Sequence, residues 1–489
     1  MSNYLQEYLD LENKIATLNL AYKTMYYDSS TIAPINGENY RNRKLAELAG
    51  EIFTLNTSEK RYQLLQILSQ QELSLPYSRQ IRYQLEDLTK LKVIPTERYI
   101  AFNQLLNDGE KIWERAKKAN DYRLFEPTLA ELIQFSQEIY GYRLDTRDIY
   151  DQMLDDYEPN TNREFYDDFF NRLKPVIIEL LAKQAKKDFP FANQAFPVNK
   201  QVAFTKYLAA YLCFDADSLY MGVSAHPYSS SFSINDARIT NRYNPDDFSS
   251  SIFSLIHELG HATYNNQVDP IYEGCYIADC MSMGMHESQS RFYENYLGRQ
   301  TAFWDCNYFN LQSLFPKQLK EVSQQQFVEY INYASASPIR VEADELSYCL
   351  HIIIRYELEK GLFSGLYETK DLDKVWKQKY HDYLGLLIKD DQEGILQDVH
   401  WSSASFGYFP TYALGSAYAA QFYHQLTKEL PIETLLSLGK MDQINVWLKE
   451  KIHHDGGCLR AEEVLKRVTG EGFNPQYYID YLSNKYQGN

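Results

Sequence analysis

Apolar residues recur at the spacing of an α-helix along most of the chain. In the first such segment, residues 4–25, Leu5, Leu9, Ile15 and Leu18 fall on one face of a helix. The same periodicity predicts further helices over residues 60–72, 97–117, 126–143, 162–187, 199–213, 320–334, 341–362, 372–388 and 413–427. No internal repeat, low-complexity segment or Gly/Ser-rich linker interrupts the pattern, so we expect residues 1–489 to form one large, mainly α-helical domain.

One segment departs from the helical pattern. Residues 229–243 (SSSFSINDARITNRY) alternate polar and apolar side chains about an Asn-Asp pair, which predicts a short β-hairpin or an extended edge strand. The residues that follow have the signals of a helix start, because Asn244 can cap a helix and Pro245 suits its first turn. We therefore expect a helix over residues 244–266.

Composition argues against several classes of protein. With 49 basic and 66 acidic residues the net charge is −17, which is unsuited to binding nucleic acid or an anionic membrane over a broad surface. No apolar run is long enough to span a membrane, and the first residues lack the basic and apolar regions of a signal peptide. The six cysteines form no CxxC pair, as expected for reduced thiols. We expect a cytoplasmic protein with no membrane or nucleic-acid partner.

The helix predicted over residues 244–266 carries the pattern HELGH. His257 and His261 lie one turn apart on one face, the spacing at which two imidazoles reach one zinc ion. Glu258 lies beside them, where its carboxylate can accept a proton from water on the ion. The alternative is two hydrogen-bonded core histidines, with Glu258 in solvent. We favour the metal, because an ion compensates the cost of burying these polar groups.

A catalytic zinc site needs a third protein ligand and one open position. The third histidine of the HExxHxxGxxH pattern is absent, so a downstream carboxylate has to serve. The possibilities are Asp269, Glu273, Asp279, Glu287 and Glu294. Glu287 lies on a second amphipathic segment that can pack against the first helix. Its alternative role is an ion pair with Arg291, four residues later.

Arg340 stands out in the segment SPIRVEADELSYC. We predict a helix that starts at Pro338 and places Arg340 in its first turn together with several acidic residues. The acidic residues suit the positive end of the helix dipole, whereas a cation does not. Arg340 therefore needs another purpose.

A third polar segment, GILQDVHWSSASFGYFPTYALG, contains His400, Tyr408 and Tyr412 among small residues. Histidine and tyrosine side chains are the usual donors to a tetrahedral oxyanion where backbone amides are not available. Taken alone, this segment is more typical of an aromatic junction between a loop and a helix.

Together, these segments resemble the M32 metallocarboxypeptidases, the carboxypeptidase Taq family. The matching motifs, in chain order, are DARIT (236–240), HELGH (257–261), HESQSR (286–291), IRVEAD (339–344) and GILQDVHW (394–401). The resemblance covers nearly the full chain, since HPYSSSFSINDARITNRY is similar to the family's HPF segment and YDQMLDDYEP fits its N-terminal half. Two departures keep an aromatic ring: Tyr27 stands where the family has tryptophan, and Tyr228 where phenylalanine is common. They bear on substrate preference and not on the chemistry.

The resemblance implies a centre in which His257, His261 and Glu287 bind Zn²⁺ and Glu258 is the general base. This is the gluzincin arrangement, in which a glutamate completes the HExxH helix. Family members are exopeptidases of broad preference that release a C-terminal residue, and they are typically cytosolic homodimers. Their fold is mainly α-helical with a small antiparallel β-sheet and a deep groove, which here implies a metal centre and substrate groove built mainly from residues 226–412.

Recognition of a free C-terminus needs a cation that holds the carboxylate of the last residue. Arg340 is the first choice and Arg238 the second, because a guanidinium offers a fork of donors. We expect the other arginine to be structural, paired with Asp236 or Asp344. His226, in the HPF-like segment, is assigned to substrate binding, and the strand near 231–240 is expected to pair with the peptide backbone.

In the expected mechanism, Glu258 takes a proton from the attacking water and passes it to the leaving amine. His400 with Tyr408 or Tyr412 is expected to stabilise the oxyanion. Co²⁺ or Mn²⁺ can occupy the same ligands as Zn²⁺.

Two alternative functions remain open at the level of sequence. A helical zinc endo-oligopeptidase of the thimet kind shares HExxH and a carboxylate ligand, but its glycine-rich histidine-tyrosine loop is not evident here. A binding protein with a purely structural zinc would need a fourth protein ligand, such as Cys275 or Cys280.

Overall fold

The computed structural model describes residues 3–279 and 282–487. The N-terminal part is a succession of helices, and those over residues 38–56, 75–92 and 149–157 are not among the segments that the periodicity predicts. The helices are α1 (Asn3–Thr31), α2 (Glu38–Asn56), α3 (Glu59–Ser69), α4 (Leu75–Lys92), α5 (Thr96–Ala119), α6 (Glu126–Gly141), α7 (Ile149–Tyr157), α8 (Arg163–Ala182) and α9 (Val198–Tyr211). None of the helices in the described ranges is long and apolar enough to cross a membrane.

A three-stranded sheet follows α9, formed in the order β1-β3-β2 by β1 (Leu219–Val223), β2 (Ser229–Ser233) and β3 (Asp236–Asn241). β2 and β3 are the two strands of the predicted antiparallel hairpin. β1 lies parallel to β3, so the small sheet is mixed and not wholly antiparallel. The reason is that residues 224–228 pass across the end of β3, where Ser224 N–H donates to the carbonyl of Asn241. This crossing places β1 and β2 on opposite sides of β3.

The rest of the chain is again helical. The helices are α10 (Phe248–Asn266), α11 (Met283–Arg291), α12 (Thr301–Leu314), α13 (Pro316–Leu319), α14 (Gln324–Ile331), α15 (Tyr348–Phe363), α16 (Leu372–Leu384), α17 (Pro410–Glu429), α18 (Ile432–Ser437), α19 (Met441–Leu448), α20 (Ala461–Thr469) and α21 (Gln476–Tyr486). α11 continues directly into a π-helical segment, Phe292–Leu297.

Two predicted helix starts are wrong. α10 begins at Phe248, because Asp247 and not Asn244 is its cap and accepts a hydrogen bond from the backbone of Ser250. The helix expected from Pro338 begins ten residues later, with α15.

A short 3₁₀ turn, Arg340–Glu342, occupies the predicted start of that helix. The chain is then held by Asp344, whose carboxylate accepts the backbone N–H groups of Leu346 and Ser347. Arg340 therefore does not lie at the N-terminus of a helix.

The apolar core has one large and two smaller parts. The large cluster extends from Ala116 to Tyr486 and includes α10, α15 and α17. A separate cluster joins α1, α3 and α4. α1 also reaches the sheet, where Tyr27 packs edge-on against Tyr220 and Phe232. That the whole chain is one domain stays a prediction.

Candidate active site

The HELGH segment lies in the middle of α10, a helix buried on most of its surface. A second helix approaches it closely at Gly260. A Cβ at this position would lie 2.5 Å from the carbonyl oxygen of Gln289 and 2.7 Å from the Cα of Ser290. Only a glycine allows α10 and α11 to come so near to each other, and this contact brings the residues of α11 to the histidines.

Glu287, on α11, is the carboxylate that meets them. Its Oε2 lies 3.6 Å from Nε2 of His257 and 3.6 Å from Nε2 of His261. The three ligand atoms all lie within 4.8 Å of one another. Gly415 of α17 makes room for this side chain, because a Cβ there would lie 2.6 Å from the Cγ of Glu287.

The other nitrogen of each imidazole is bonded elsewhere. Nδ1–H of His257 donates to Oε2 of Glu294 at 2.9 Å. Nδ1 of His261 lies 2.6 Å from Nδ1 of His286, so one of these rings donates to the other. Hydrogen bonds of this kind orient metal-ligating histidines and leave Nε2 for the ion.

The donor set fits a catalytic zinc ion: two imidazole nitrogens and one carboxylate oxygen, with orienting partners behind them. The alternative role of Glu287, an ion pair with Arg291, is present at the same time. Nε of Arg291 donates to Oε1 of Glu287 at 2.7 Å and leaves Oε2 facing the histidines. Within residues 3–279 and 282–487 this is the one group of at least three converging His, Cys, Asp or Glu ligands, and Cys275 is not in it. Cys280 lies outside the described residues.

Glu258 is buried beside the three ligands and is 7% exposed. Burial raises the pKa of this carboxyl to about 7, whereas the adjacent His257 and a hydrogen bond from the Ser229 side chain lower it. Ser229 belongs to β2, an edge strand of the sheet. A carboxylate that titrates near neutrality suits a general base.

Arg340 lies in a second part of the site and is 7% exposed. Its Nε donates to Oδ1 of Asp398 at 3.0 Å, and Nη1 donates to the hydroxyl of Tyr348 at 3.1 Å. Arg355 also binds Asp398, through Nε at 2.7 Å. The expected pairing of an arginine with Asp344 does not apply to Arg340, because Asp398 holds it.

His400, Tyr408 and Tyr412 form one cluster. Nε2 of His400 lies 3.4 Å from the hydroxyl of Tyr412, and the two tyrosine rings are 5.1 Å apart in an edge-on arrangement. Burial lowers the pKa of His400 to about 4, so its ring is neutral at pH 7. Burial also keeps the pKa of both tyrosines above its ordinary value, so both remain protonated donors.

Two contacts connect this cluster to the three candidate metal ligands. The guanidinium of Arg291 lies 4.5 Å from the ring centroid of Tyr348, and the hydroxyl of Tyr348 accepts a hydrogen bond from Arg340. Tyr412 is three residues before Gly415, so one turn of α17 carries both the tyrosine and the close contact with Glu287.

Two of the predicted substrate-binding residues, Arg238 and His226, make none of the contacts described above. Arg238 forms a bidentate ion pair with Asp236, with distances of 3.0 and 2.8 Å. Its neighbours in β3, Ala237 and Ile239, are buried, and strand alternation places Arg238 on the opposite face of the sheet. There it lines a cavity of about 690 Å³ together with Tyr27 of α1 and Tyr220 of β1. His226 is exposed, in the loop between β1 and β2.

Sequence reasoning missed several residues of this site. Glu294, one of the candidate carboxylate ligands, hydrogen-bonds Nδ1 of His257, and no sequence signal marks His286, whose ring contacts that of His261. Asp398 lies inside a recognised motif, yet nothing local predicts that it binds two arginines. Tyr348 lies in an apolar stretch of the chain, and nothing near it in the sequence predicts its hydrogen bond from Arg340.

Comparison with known proteins identifies the family of this chain. The model of the carboxypeptidase Taq (M32) metallopeptidase family matches residues 7–486. Carboxypeptidase 1 of Bacillus subtilis is 40% identical over 490 residues, 99% of this chain and 98% of its own length. Thermostable carboxypeptidase 1 of Thermus thermophilus is 32% identical over 506 residues, 98% of each. The crystal structure of the M32 carboxypeptidase from Deinococcus radiodurans R1 superimposes with a TM-score of 0.96 at 28% identity and covers 99% of both chains. The chain belongs to the M32 family and is a metallocarboxypeptidase.

Proposed function

We propose that the enzyme is a zinc carboxypeptidase that releases single C-terminal residues from peptides of varied sequence. The observation that carries the proposal is the convergence of two imidazole Nε2 atoms and one carboxylate oxygen beside the buried Glu258. His257, His261 and Glu287 would hold the ion, and Co²⁺ or Mn²⁺ fits the same ligands. Zn²⁺ in such a site supplies a Lewis acid that lowers the pKa of water toward neutrality.

Glu258 would be the general base and acid. Its carboxylate accepts a proton from the attacking water and then releases it to the leaving amine, and burial, which raises the pKa of this group in the metal-free protein, favours holding the proton between the two steps. The edge strand β2, next to Glu258, offers a place for the backbone of the peptide substrate. Because Tyr228 pairs with Thr240 of β3, alternation directs the backbone groups of Ser229 away from β3, where an extended peptide can bind them.

The oxyanion would be stabilised by the tyrosine pair. The hydroxyl of Tyr412 lies 3.4 Å from Nε2 of His400, so Tyr412 already has a partner inside the cluster. Burial and the nearby carboxylate of Glu287 raise the pKa of Tyr408, which indicates that its hydroxyl lies toward the three candidate metal ligands. We assign Tyr408 as the oxyanion donor, with Tyr412 and His400 behind it.

Arg340 would bind the free carboxylate of the substrate. Asp398 contacts two buried arginines, Arg340 and Arg355, so positive charges outnumber the carboxylate in this bridge. A buried excess of positive charge favours binding of an anion. Arg238 remains the second choice, but its two-point pairing with Asp236 already neutralises it.

The test is mass spectrometry of a short peptide incubated with the enzyme, with and without a chelator. We expect a ladder that loses one residue at a time from the C-terminus, and no ladder with the chelator present. A C-terminally amidated copy of the peptide should be cut slowly. Internal cleavage of the amidated peptide would instead indicate an endo-oligopeptidase of the thimet kind.

Metal analysis of the same preparation tests the choice of ion, and a panel of C-terminal residues tests the breadth of specificity. The family resemblance also supports a cytoplasmic homodimer, which stays a prediction. Light scattering coupled to size-exclusion chromatography measures the mass in solution and compares it with 57.4 kDa for one chain.

A further inference from the structure

Helix α15 carries a stripe of polar residues through the core. His351, Arg355 and Glu359 follow one another at intervals of four residues, and each is completely buried. Such a stripe is costly unless every member is bonded. Arg355 is bonded to Asp398, which lies just before the His400–Tyr408 segment. The stripe therefore faces the part of the chain that carries the predicted oxyanion donors.

The carboxylate of Glu359 receives three hydrogen bonds. Nε1–H of Trp401 donates to Oε1 at 2.7 Å, and the backbone N–H of Gly407 donates to Oε2 at 2.8 Å. The hydroxyl of Tyr150, on α7, donates to Oε2 at 2.9 Å. All three partners are donors, so the site is built for an acceptor on both oxygens.

Two of these donors lie next to active-site residues. Trp401 follows His400 directly, and Gly407 precedes Tyr408 directly. One carboxylate thus binds the segment 400–408 near both of its ends. The segment begins with a 3₁₀ helix, His400–Ser403, and residues 404–408 that follow belong to no helix or strand.

The segment also has backbone conformations that need support. Ala404 has φ of 51° and Gly407 has φ of 88°, both in the left-handed region. A Cβ at Gly407 would lie 2.8 Å from the carbonyl carbon of Met153. Left-handed residues persist when the surrounding structure fixes them, and Glu359 supplies such a fixed point.

We propose that Glu359 is a positioning residue of the active site, which fixes His400 and Tyr408 through its hydrogen bonds to Trp401 and Gly407. The inference rests on the proposed oxyanion role of the His400 and Tyr408 cluster. Glu359 contacts neither the three metal ligands nor Arg340 in the bonds described above, so its effect passes through the segment 400–408. A catalytic donor displaced by even 1 Å loses much of its effect on rate.

Substitution by glutamine tests this idea with little change of shape. A glutamine amide has one acceptor and one donor atom. If its oxygen faces Gly407 and Tyr150, its NH₂ group faces the indole N–H of Trp401. Two buried donors then oppose each other, and the segment must move to relieve them.

Glu357→Gln is the matched control. Glu357 lies on the same helix and also accepts three bonds, from Lys174, Lys379 and Tyr383. None of these partners belongs to the segment 400–408. The control therefore reports the general cost of neutralising an acid on α15.

The experiment uses the full-length, metal-loaded enzyme at pH 8, labelled with 5-fluorotryptophan. The ¹⁹F resonance of Trp401, identified with Trp401→Phe, should shift in Glu359→Gln and stay in place in Glu357→Gln. We expect kcat of Glu359→Gln to fall on the order of tenfold to a hundredfold, because the proposed oxyanion donor is displaced and not removed. KM and the metal content should stay close to those of the parent enzyme.

A double variant separates positioning from a general loss of structure. In Glu359→Gln/Trp401→Phe the opposed indole donor is gone, so kcat should recover relative to Glu359→Gln. If Glu359→Gln does not fold, Trp401→Phe alone still tests the proposal, because it removes the bond near His400 and should lower kcat with KM unchanged. An unshifted Trp401 resonance, or equal kcat in the Glu359→Gln and Glu357→Gln variants, would overturn the proposal.

Failure of the underlying function looks different. Tyr408→Phe removes the proposed oxyanion donor, and His400→Ala removes the side chain behind it. If both remain fully active while Glu359→Gln is slow, the oxyanion assignment is wrong. If both are slow while Glu359→Gln matches the parent, the assignment stands and Glu359 is not a positioning residue.

Discussion

Glu258, the proposed general base, gives the most direct test of the chemistry. Glu258→Gln keeps the size of the side chain and the Ser229 contact but removes the proton acceptor. We expect metal binding to be retained and hydrolysis to fall by at least three orders of magnitude, because general-base catalysis and charge are lost together. Peptide turnover and metal content measured on one preparation check this. The exposed acid Glu273, also weighed as a ligand, gives the control Glu273→Gln, which should match the parent. Full activity of Glu258→Gln would remove the proposed base.

Arg340 makes the exopeptidase specificity testable at the same scale. Arg340→Ala leaves Asp398 with Arg355 as a partner, so the fold should tolerate the change. We expect the affinity for a peptide with a free C-terminus to fall on the order of a hundredfold, since a buried charge-assisted contact is lost. The affinity for the amidated peptide should change little. Inhibition constants of the two peptides measure the difference.

Arg238→Ala is the informative comparison for that experiment. An equal loss for free and amidated peptides in Arg340→Ala would argue against a carboxylate role. Selective loss in Arg238→Ala would transfer the role to the second choice, and the ion pair with Asp236 would then have to open on binding.

At the scale of elements, periodicity predicts many of the helices but not α2, α4 or α12, and several ends of the predicted helices are wrong. The helix expected over 162–187 ends at Ala182, and α15 begins at Tyr348 and not near Pro338. Local signals fix a helix end only when tertiary contacts do not override them. β1 had no local signal, because its parallel partner β3 lies beyond the intervening hairpin strand. The hairpin itself was predicted from alternation and its Asn-Asp turn.

Close contact between helices gives a prediction at Gly415. A Cβ added at this point on α17 would lie 2.6 Å from Glu287, a side chain already bonded to Arg291. Gly415→Ala should displace the third ligand and weaken metal binding on the order of tenfold to a hundredfold. It should also lower the free energy of unfolding by about 1–3 kcal/mol through overpacking. Competition with a fluorescent zinc chelator and urea unfolding measure the two effects.

Gly50→Ala is the matched control for that variant. Gly50 is a helical glycine in α2 whose added Cβ would meet no atom within 4 Å. Alanine there should stabilise the protein by about 0.5–1 kcal/mol and leave metal affinity unchanged. If Gly415→Ala binds metal as tightly as the parent, either Glu287 does not bind the ion or α17 shifts enough to accommodate the added methyl group.

At the scale of the whole molecule, candidate site residues could be identified from the sequence, but the contacts between them could not. Glu287 was one of several acids after the HELGH motif, and only the approach of α11 at Gly260 singles it out. Arg340 and Asp398 are 58 residues apart in the chain, and their contact depends on the path of the intervening helices. The family resemblance supplied the ligand set, because a motif records the outcome of packing that spacing alone does not contain.

Long-range contacts also link stability to pH through Glu158. This buried carboxyl, just after α7, accepts hydrogen bonds from Ser282, from the backbone of Gly284 at the start of α11, and from Tyr418 on α17. Burial nevertheless raises its pKa from 4.5 to about 7, because these donors only partly offset desolvation. The folded state therefore binds this proton more tightly than the unfolded state between about pH 4.5 and pH 7. Its contribution to stability is complete below that range and is lost as the pH rises through it.

Glu158→Gln removes this titration and isolates its effect. The free energy of unfolding of the parent, measured relative to the variant, should fall by about 2 kcal/mol between pH 5 and pH 8. Urea unfolding followed by tryptophan fluorescence, with chelator present throughout, measures both proteins without a contribution from bound metal. Glu110→Gln, at an exposed position of α5, should show no such pH dependence relative to the parent. A difference that stays constant from pH 5 to pH 8 would mean that Glu158 is ionised in the folded protein, with its three donors outweighing burial.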